Sequence, residues 1–345
     1  MLRNRKLLAF ALVIFSSLAA TFSFYFWQVI KSPNINLDAE EAAVLFIPSG
    51  ATYQHVLDSL NALDLIHDQI SFGFLSKFME YRDKVKPGRY ELVPNATNKE
   101  ILSKLRSGDQ DEVKLTFNNI RLKSELAEKL SAALSIDSEI LLEKLNDPEV
   151  CKKYGFSTDN IMCMFLPDTY FMWWTLDEDA FLDRMKYEYD AFWNKDRREK
   201  AAITTMSPKE IGVMASIVQS ESNKKDEQPT IAGVYVNRIK QGIPLQADPT
   251  VKFAVGDFGL KRILNKHLTI DSPYNTYTKR GLPPGPIALP EKGVIDAVLN
   301  YGKHNYIYFC AREDFSGYHN FAVDLRQHNA NARRFHAAMN QRGIY

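Results

Sequence analysis

Apolar positions crowd first at the N-terminus, where Leu7 to Ile30 runs for 24 residues without a charge. As a helix this stretch is about 36 Å long, enough to cross a hydrocarbon core of about 30 Å. Arg3, Arg5 and Lys6 precede it, and Asp38, Glu40 and Glu41 follow it. That asymmetry predicts a cytoplasmic tail over 1–6, a transmembrane helix over 7–30 and an exported remainder. A signal peptide cleaved near Ser17-Leu18-Ala19 is the competing reading. The apolar character of Phe22 to Ile30, with the interfacial residue type Trp27, favours an uncleaved single-pass anchor instead.

Beyond a polar linker over 31–42 the pattern shortens. Ala43 to Ile47 reads as a strand, Thr52 to Leu65 as a helix with Val56, Leu57, Leu60 and Leu63 on one face, and Ile70 to Met79 as a second helix. Lys86-Pro87-Gly88 turns the chain into the strand Arg89 to Leu92, and Thr97 caps a helix through Leu105. These elements predict a small α+β module over 43–110, either a binding module or a spacer above the membrane. An intermediate α+β region over 111–200 starts with a strand, Val113 to Phe117, and helices over Lys123 to Ala133 and Ser138 to Leu145. A loop with an Asx-type turn follows at Pro167-Asp168-Thr169-Tyr170. Phe181, Leu182, Met185, Tyr189 and Phe192 then form the core stripe of a helix over Glu178 to Lys195, which the charge run Asp196 to Lys200 ends.

The last region, 201–345, opens on the most informative helix. Ser207 and Glu210 have capping-box spacing and Pro208 takes the first helical position. Ile211, Met214, Ile217 and Val218 make an apolar stripe, and continuing it by three and four residues reaches Glu221. A carboxyl turned toward the packed side titrates high, as a general acid needs near neutral pH. Equally, Glu221 in the last turn could point past the core into water. A helix over Pro229 to Lys240, stopped by Gly242, leads to a polar turn at Leu245 to Val251. Tyr274-Asn275-Thr276-Tyr277 and the stiff run Gly281 to Pro286 come next. Two tyrosines flanking an amide and a hydroxyl suit a sugar, whose apolar face stacks on rings while its hydroxyls meet Asn and Thr; an edge strand is the plainer alternative. A helix over Pro290 to Leu299, strands over Tyr306 to Ala311 and Tyr318 to Val323, and a helix capped by Asp324 complete the chain.

Composition narrows the classes further. The 345 residues are 45% hydrophobic and 25% charged with a net charge of +1, ample for a folded core and unlike a dedicated nucleic-acid binder. Cys151, Cys163 and Cys310 lack metal-ligand spacing; Cys151 and Cys163 could pair, but all three read best as small buried hydrophobes. His319 and His328 form no zinc-type pair and suit structural hydrogen bonds that fix a cleft better than a metal. No cofactor motif or phosphate-binding glycine loop is present.

Taken together, several ordered motifs resemble one family. Ala215-Ser216-Ile217-Val218-Gln219-Ser220-Glu221, Val236-Asn237-Arg238, Leu245 to Val251, Tyr274 to Tyr277, Gly281 to Ile287, Tyr308-Phe309 and His319 to Asn329 are similar to the endolytic murein transglycosylases of the YceG-like family. The likeness runs over the whole chain, including Ile47 to Gly50, Lys86 to Tyr90 and Pro167 to Tyr170. It implies a LysM-like module over 43–110 and a mixed α+β catalytic domain over 201–345. It also implies cleavage of the β-1,4 bond from N-acetylmuramic acid to N-acetylglucosamine in nascent strands, leaving a 1,6-anhydro end. Glu221 would be the single catalytic acid. Gln246, Asp248, Thr250, Tyr274, Asn275 and Tyr277 would line the cleft, with Asp248 orienting Gln246 or its loop, and no metal or cofactor would be needed. Expected partners are glycan strands, the inner membrane and membrane-bound glycan synthases. Two departures stand out: Gln219 where the family commonly has Glu, and Met162-Cys163 where it commonly has Glu-Gly. A water-using hydrolase that relies on Asp248, and a non-catalytic glycan-binding scaffold suggested by Gln219, are the alternatives.

Overall fold

The computed structural model describes residues 2–38, 42–260 and 262–343, so Glu40 and Glu41 lie outside the described residues. The chain divides into two compact units, the first reaching Leu115 and adding Ala133–Ser135 and Phe171–Leu176, the second holding the rest.

In the first unit, α1 (Leu2–Lys31) contains an apolar span, Arg5–Lys31, whose 18-residue apolar stretch has a mean hydropathy of 2.2 and is not buried, while Val29 near its end enters the module core. Such a helix fits a single-pass membrane anchor. The expected polar linker is instead packed into the module over much of its length. Asn34 is buried, its amide donating to Asn98 Oδ1 at 2.6 Å and to the Asp68 carbonyl at 2.9 Å. Asn98 in turn donates to the Val29 carbonyl at 3.2 Å. Pro33 and Ile35 form β-bridges with Thr97 and Ile66. Two asparagines that satisfy one another therefore fix a stretch whose polarity reads as solvent-facing in sequence.

The module itself comprises β1 (Ala43–Ile47), α2 (Tyr53–Ala62), α3 (Gln69–Phe78), β2 (Gly88–Leu92) and α4 (Asn98–Ser107). The strands pair antiparallel, Ala43 opposite Leu92 and Ile47 opposite Gly88. Leu45, Ile47, Tyr90 and Leu92 alternate inward onto Val56, Leu60, Phe72, Leu75 and Leu102. Thr97 and Glu100 close a capping box on α4, and Gly108 ends it in the left-handed conformation.

The remaining elements are β3 (Val113–Phe117), α5 (Lys123–Ser131), α6 (Ser138–Asn146), α7 (Pro148–Lys153), β4 (Asp168–Met172), α8 (Glu178–Phe192), α9 (Lys195–Thr204) and α10 (Pro208–Glu221). They continue with α11 (Gln228–Lys240), α12 (Asp248–Val255), α13 (Asn265–Leu268), α14 (Lys292–Leu299), β5 (Tyr308–Ala311), β6 (His319–Ala322) and α15 (Leu325–Gln341). Three readings change here. Asp168 to Tyr170 opens β4, pairing with β3 rather than forming a loop, although Asp168 Oδ1 does accept the Thr169 N–H at 2.7 Å. The charge run Asp196 to Lys200 is not a helix end: Asn194 caps α9, and the run is its solvated face, with Lys200 and Asp196 paired at 3.2 Å. Asp248 begins α12 instead of sitting in a turn.

Helix α10 is the hub of the second unit. Ile211 to Val218 are all buried, and α9, α11, α12 and α14 pack around them. The residues at the second departure explain part of this close approach. Ile161–Met164 is a buried 3-10 turn, and the Cys163 thiol lies 3.1 Å from where a Cβ on Gly212 would stand. Burial pushes that thiol up to about 12, so it remains a protonated packing group. All three cysteines are free; Cys151 and Cys163 are buried as expected, while Cys310 is only half-buried.

Candidate active site

Ser207 accepts the Glu210 N–H and Glu210 reciprocates, so α10 starts where the sequence places it. Fourteen residues later the helix delivers Glu221 to an opening in the protein. Two cavities share that residue: one of about 840 Å³ and one of about 380 Å³, both lined by Glu221 and Asp248. The alternative in which Glu221 simply points into water does not hold. Glu221 is half-buried and lines both hollows. Tyr235, buried on α11, donates its hydroxyl to Glu221 Oε1 at 2.6 Å. Burial raises the Glu221 carboxyl to about 7, the Tyr235 hydrogen bond opposing and the Asp248 charge adding to the rise. Burial, together with the neighbouring carboxyl, keeps the Tyr235 hydroxyl protonated far above its ordinary range, which makes it a permanent donor.

Asp248 is held by a second tyrosine, Tyr277, whose hydroxyl donates to Oδ1 at 2.6 Å. Gln246 is not its partner. The Gln246 side chain accepts from Arg238 instead, and its backbone adopts a positive φ of 53° while donating to the Thr276 carbonyl at 3.0 Å. Arg238, buried on α11, also donates to the carbonyls of Pro244 at 2.9 Å and Ile307 at 3.1 Å, tying both loops to one helix.

Of the residues expected to line the cleft, Gln246, Asp248 and Tyr277 do so. Thr250 and Asn275 do not. Thr250 is fully buried, bonded to the Ala247 carbonyl at 2.7 Å and to Thr276 at 2.8 Å. Asn275 is also fully buried and bonds the carbonyls of Leu268 and Ile270. Their polar groups frame the backbone, because buried donors must be satisfied locally. Tyr274 stands behind the wall, its ring 4.7 Å from that of Phe253, which does line the larger cavity. Phe253 and Phe258, with the Arg121 guanidinium 5.0 Å over the Phe258 ring, give that cavity its aromatic lining.

Of the two histidines, His319 makes the expected structural hydrogen bonds, while the buried Nδ1 of His328 has no protein partner among the described residues. His319 meets Glu227 through its backbone N–H at 2.8 Å and Nδ1 at 2.7 Å, and Ser222 donates to the same carboxyl at 3.2 Å, clamping the end of α10. His328 lies on the smaller cavity, stacked 5.1 Å from Tyr308, and burial lowers its pKa. Among the described residues no cluster of three metal-ligating side chains occurs. Gln219 donates to the Leu289 carbonyl at 3.3 Å and accepts the Glu291 N–H at 2.7 Å. An ionised glutamate has no donor for the first of these bonds, so Gln219 is fitted as a bridge to the cleft wall.

Tyr235, Phe253 and Phe258 escape a reading of the sequence. The one available signal for Tyr235 is a phenol in the otherwise apolar run Ile231 to Val236, which demands a buried acceptor without naming it.

The YceG-like family model matches residues 45–334, and the chain belongs to that family. It is 25% identical over 338 residues to an endolytic murein transglycosylase of Bacillus subtilis, covering 93% of this chain and 92% of that protein. A protein of the same name from Streptococcus pneumoniae is 24% identical over 341 residues, and there the match spans 89% of this chain but only 61% of the relative. The fold is similar to the crystal structure of a YceG-like protein from Listeria monocytogenes, with a TM-score of 0.56, 26% identity, and coverage of 84% of this chain and 99% of that one.

Proposed function

We propose that the chain is a membrane-anchored lytic transglycosylase that cleaves the N-acetylmuramic acid to N-acetylglucosamine bond inside uncrosslinked glycan strands. The observation that carries this reading is Glu221: one carboxyl with its pKa raised to about 7, held by Tyr235 where two cavities meet. Protonated Glu221 gives its proton to the leaving glycosidic oxygen. The C6 hydroxyl of the muramic sugar then attacks the anomeric carbon and returns its own proton to the Glu221 carboxylate. The bond broken is C1–O4 and the bond formed is C1–O6, so no water is consumed. An attacking group on the same sugar is already in place, which removes the need for a second carboxylate to act as nucleophile or base. In this reading Asp248 stabilises positive charge at the anomeric carbon, while Gln246 and Tyr277 contact the sugars and Phe253 and Phe258 stack on them.

The names of the relatives support the substrate. The order β1-α2-α3-β2 supports a LysM-like glycan-holding module. With residues 1–6 in the cytoplasm, 7–30 crossing the inner membrane and the rest of the chain on its outer side, the site works near the point of polymerisation. There it ends growing strands alongside membrane-bound synthases.

Acid catalysis by Glu221 fixes a pH dependence. The reactive form carries the proton, so kcat/KM holds below the raised pKa and falls as the pH rises through about 7. The Tyr235 hydrogen bond favours the charged form, and removing it in Tyr235→Phe moves the falling limb to higher pH. A pH series on purified glycan with both proteins checks this; an unmoved limb contradicts the assignment.

Asp248 favours one second reading, a hydrolase in which it activates water, because it shares both cavities with Glu221. Asp248→Asn separates the two. Internal attack predicts a slower enzyme that still makes anhydro ends, whereas water activation predicts loss of turnover.

A further inference from the structure

We propose that the face of α3 carrying Ile70, Phe74 and Phe78 lies in the bilayer interface beside α1, as a second lipid contact that sets the height and tilt of the module. The proposal rests on the reading of α1 as a membrane anchor. The three residues are four apart and share one face of the helix. They are 79%, 39% and 65% exposed, while Phe72 and Leu75 on the other face are buried in the module core. Three large apolar side chains in a row facing water mark an interaction surface.

What covers that surface follows from Phe26. Its ring meets Phe78 edge-on at 5.4 Å and Phe74 edge-on at 6.2 Å. Phe26 lies within the apolar span that ends at Lys31, five residues earlier and about 7.5 Å back along the helix axis. When α1 crosses the membrane, side chains touching Phe26 reach the same depth, the 5–10 Å at which amphipathic helices sit among headgroups and upper acyl chains. The joint is fixed. Val29 is in the module core and its carbonyl is bonded to Asn98, so α3 cannot swing away while α1 stays inserted. Lys77, exposed beside the stripe, is placed to reach lipid phosphates.

Site-directed spin labelling of the full chain in vesicles of phosphatidylethanolamine and phosphatidylglycerol tests this. Nitroxides are placed at Ile70→Cys or Phe78→Cys in a Cys310→Ser background, with Val13→Cys as the reference within α1 and Glu199→Cys as the reference in water. The expected result is collision with oxygen favoured several-fold over a water-soluble nickel chelate at 70 and 78, as at 13, with the preference reversed at 199. Labels at 70 and 78 that behave like 199, while 13 reads as lipid, overturn the proposal and leave the anchor standing. Labels shielded from both reagents also overturn it, since a protein partner or a second copy then covers the stripe. A water-like signal at 13 overturns the anchor itself and this proposal with it.

Discussion

Glu221→Gln abolishes glycan cleavage, with a fall of about 10²–10⁴-fold, the usual contribution of a positioned proton donor, and it raises Tm at the same time. The amide keeps the size of the side chain and still accepts the Tyr235 hydroxyl, so the fold has no reason to change. What disappears is the proton. The gain in stability follows from linkage. The folded protein holds the Glu221 carboxyl at about 7 mainly through burial, whereas in the unfolded chain it ionises near its ordinary value. Above that ordinary value folding must either take up a proton or bury a charge, a penalty that grows up to about pH 7 and is absent below the unfolded pKa. Gln carries no such penalty, so the variant's excess stability is larger at pH 7 than at pH 4. Thermal unfolding at the two pH values, run beside the activity assay, separates lost chemistry from lost structure. An inactive variant with a lowered Tm contradicts the account.

Gly285→Ala has the largest expected structural effect. A Cβ there would stand 1.9 Å from the Asp159 carbonyl oxygen and 2.8 Å from the Tyr274 hydroxyl. The carbonyl belongs to the backbone and cannot rotate aside, so the loop itself has to move. Two residues on, the Ile287 N–H donates to Ser216 on α10 at 3.1 Å, and Ile287 and Ala288 form part of the larger cavity wall. Displacing that wall costs about 3 kcal/mol or more and disorders the larger cavity. Chemical denaturation is expected to show the lowered midpoint, and cleavage is expected to drop with KM raised. Unchanged stability would mean that the loop is not wedged between Asp159 and α10.

How far the sequence reaches depends on whether the physics is local. The capping box at Ser207 and the stripe from Ile211 to Val218 are short-range signals, so α10 is legible, whereas the direction of Glu221 in its last turn is settled only by the Tyr235 hydroxyl on the next helix. Thr250 and Asn275 share the chemistry of sugar ligands, yet satisfy backbone carbonyls and a neighbouring threonine instead. Only the three-dimensional frame distinguishes these uses. Asn34 and Asn98 hide in the same way: each looks like a surface residue, and their mutual bond buries both. Tyr235 reaches Glu221 from the next helix and Phe253 faces the cleft from α12, placements set by helix packing with no period of their own. The charge run in α9 misleads because Asn194 starts a new helix in a stretch with too few apolar positions to reveal one.

The central claim is that a single protonated carboxyl suffices because the sugar attacks itself. Its most direct measurement is the mass of the new chain ends when the purified full-length protein digests uncrosslinked glycan in water enriched with heavy oxygen. The account predicts muramic ends lighter by one water than reducing ends, with no heavy oxygen incorporated. Reducing ends that carry the heavy isotope would show water as the attacking group and contradict it.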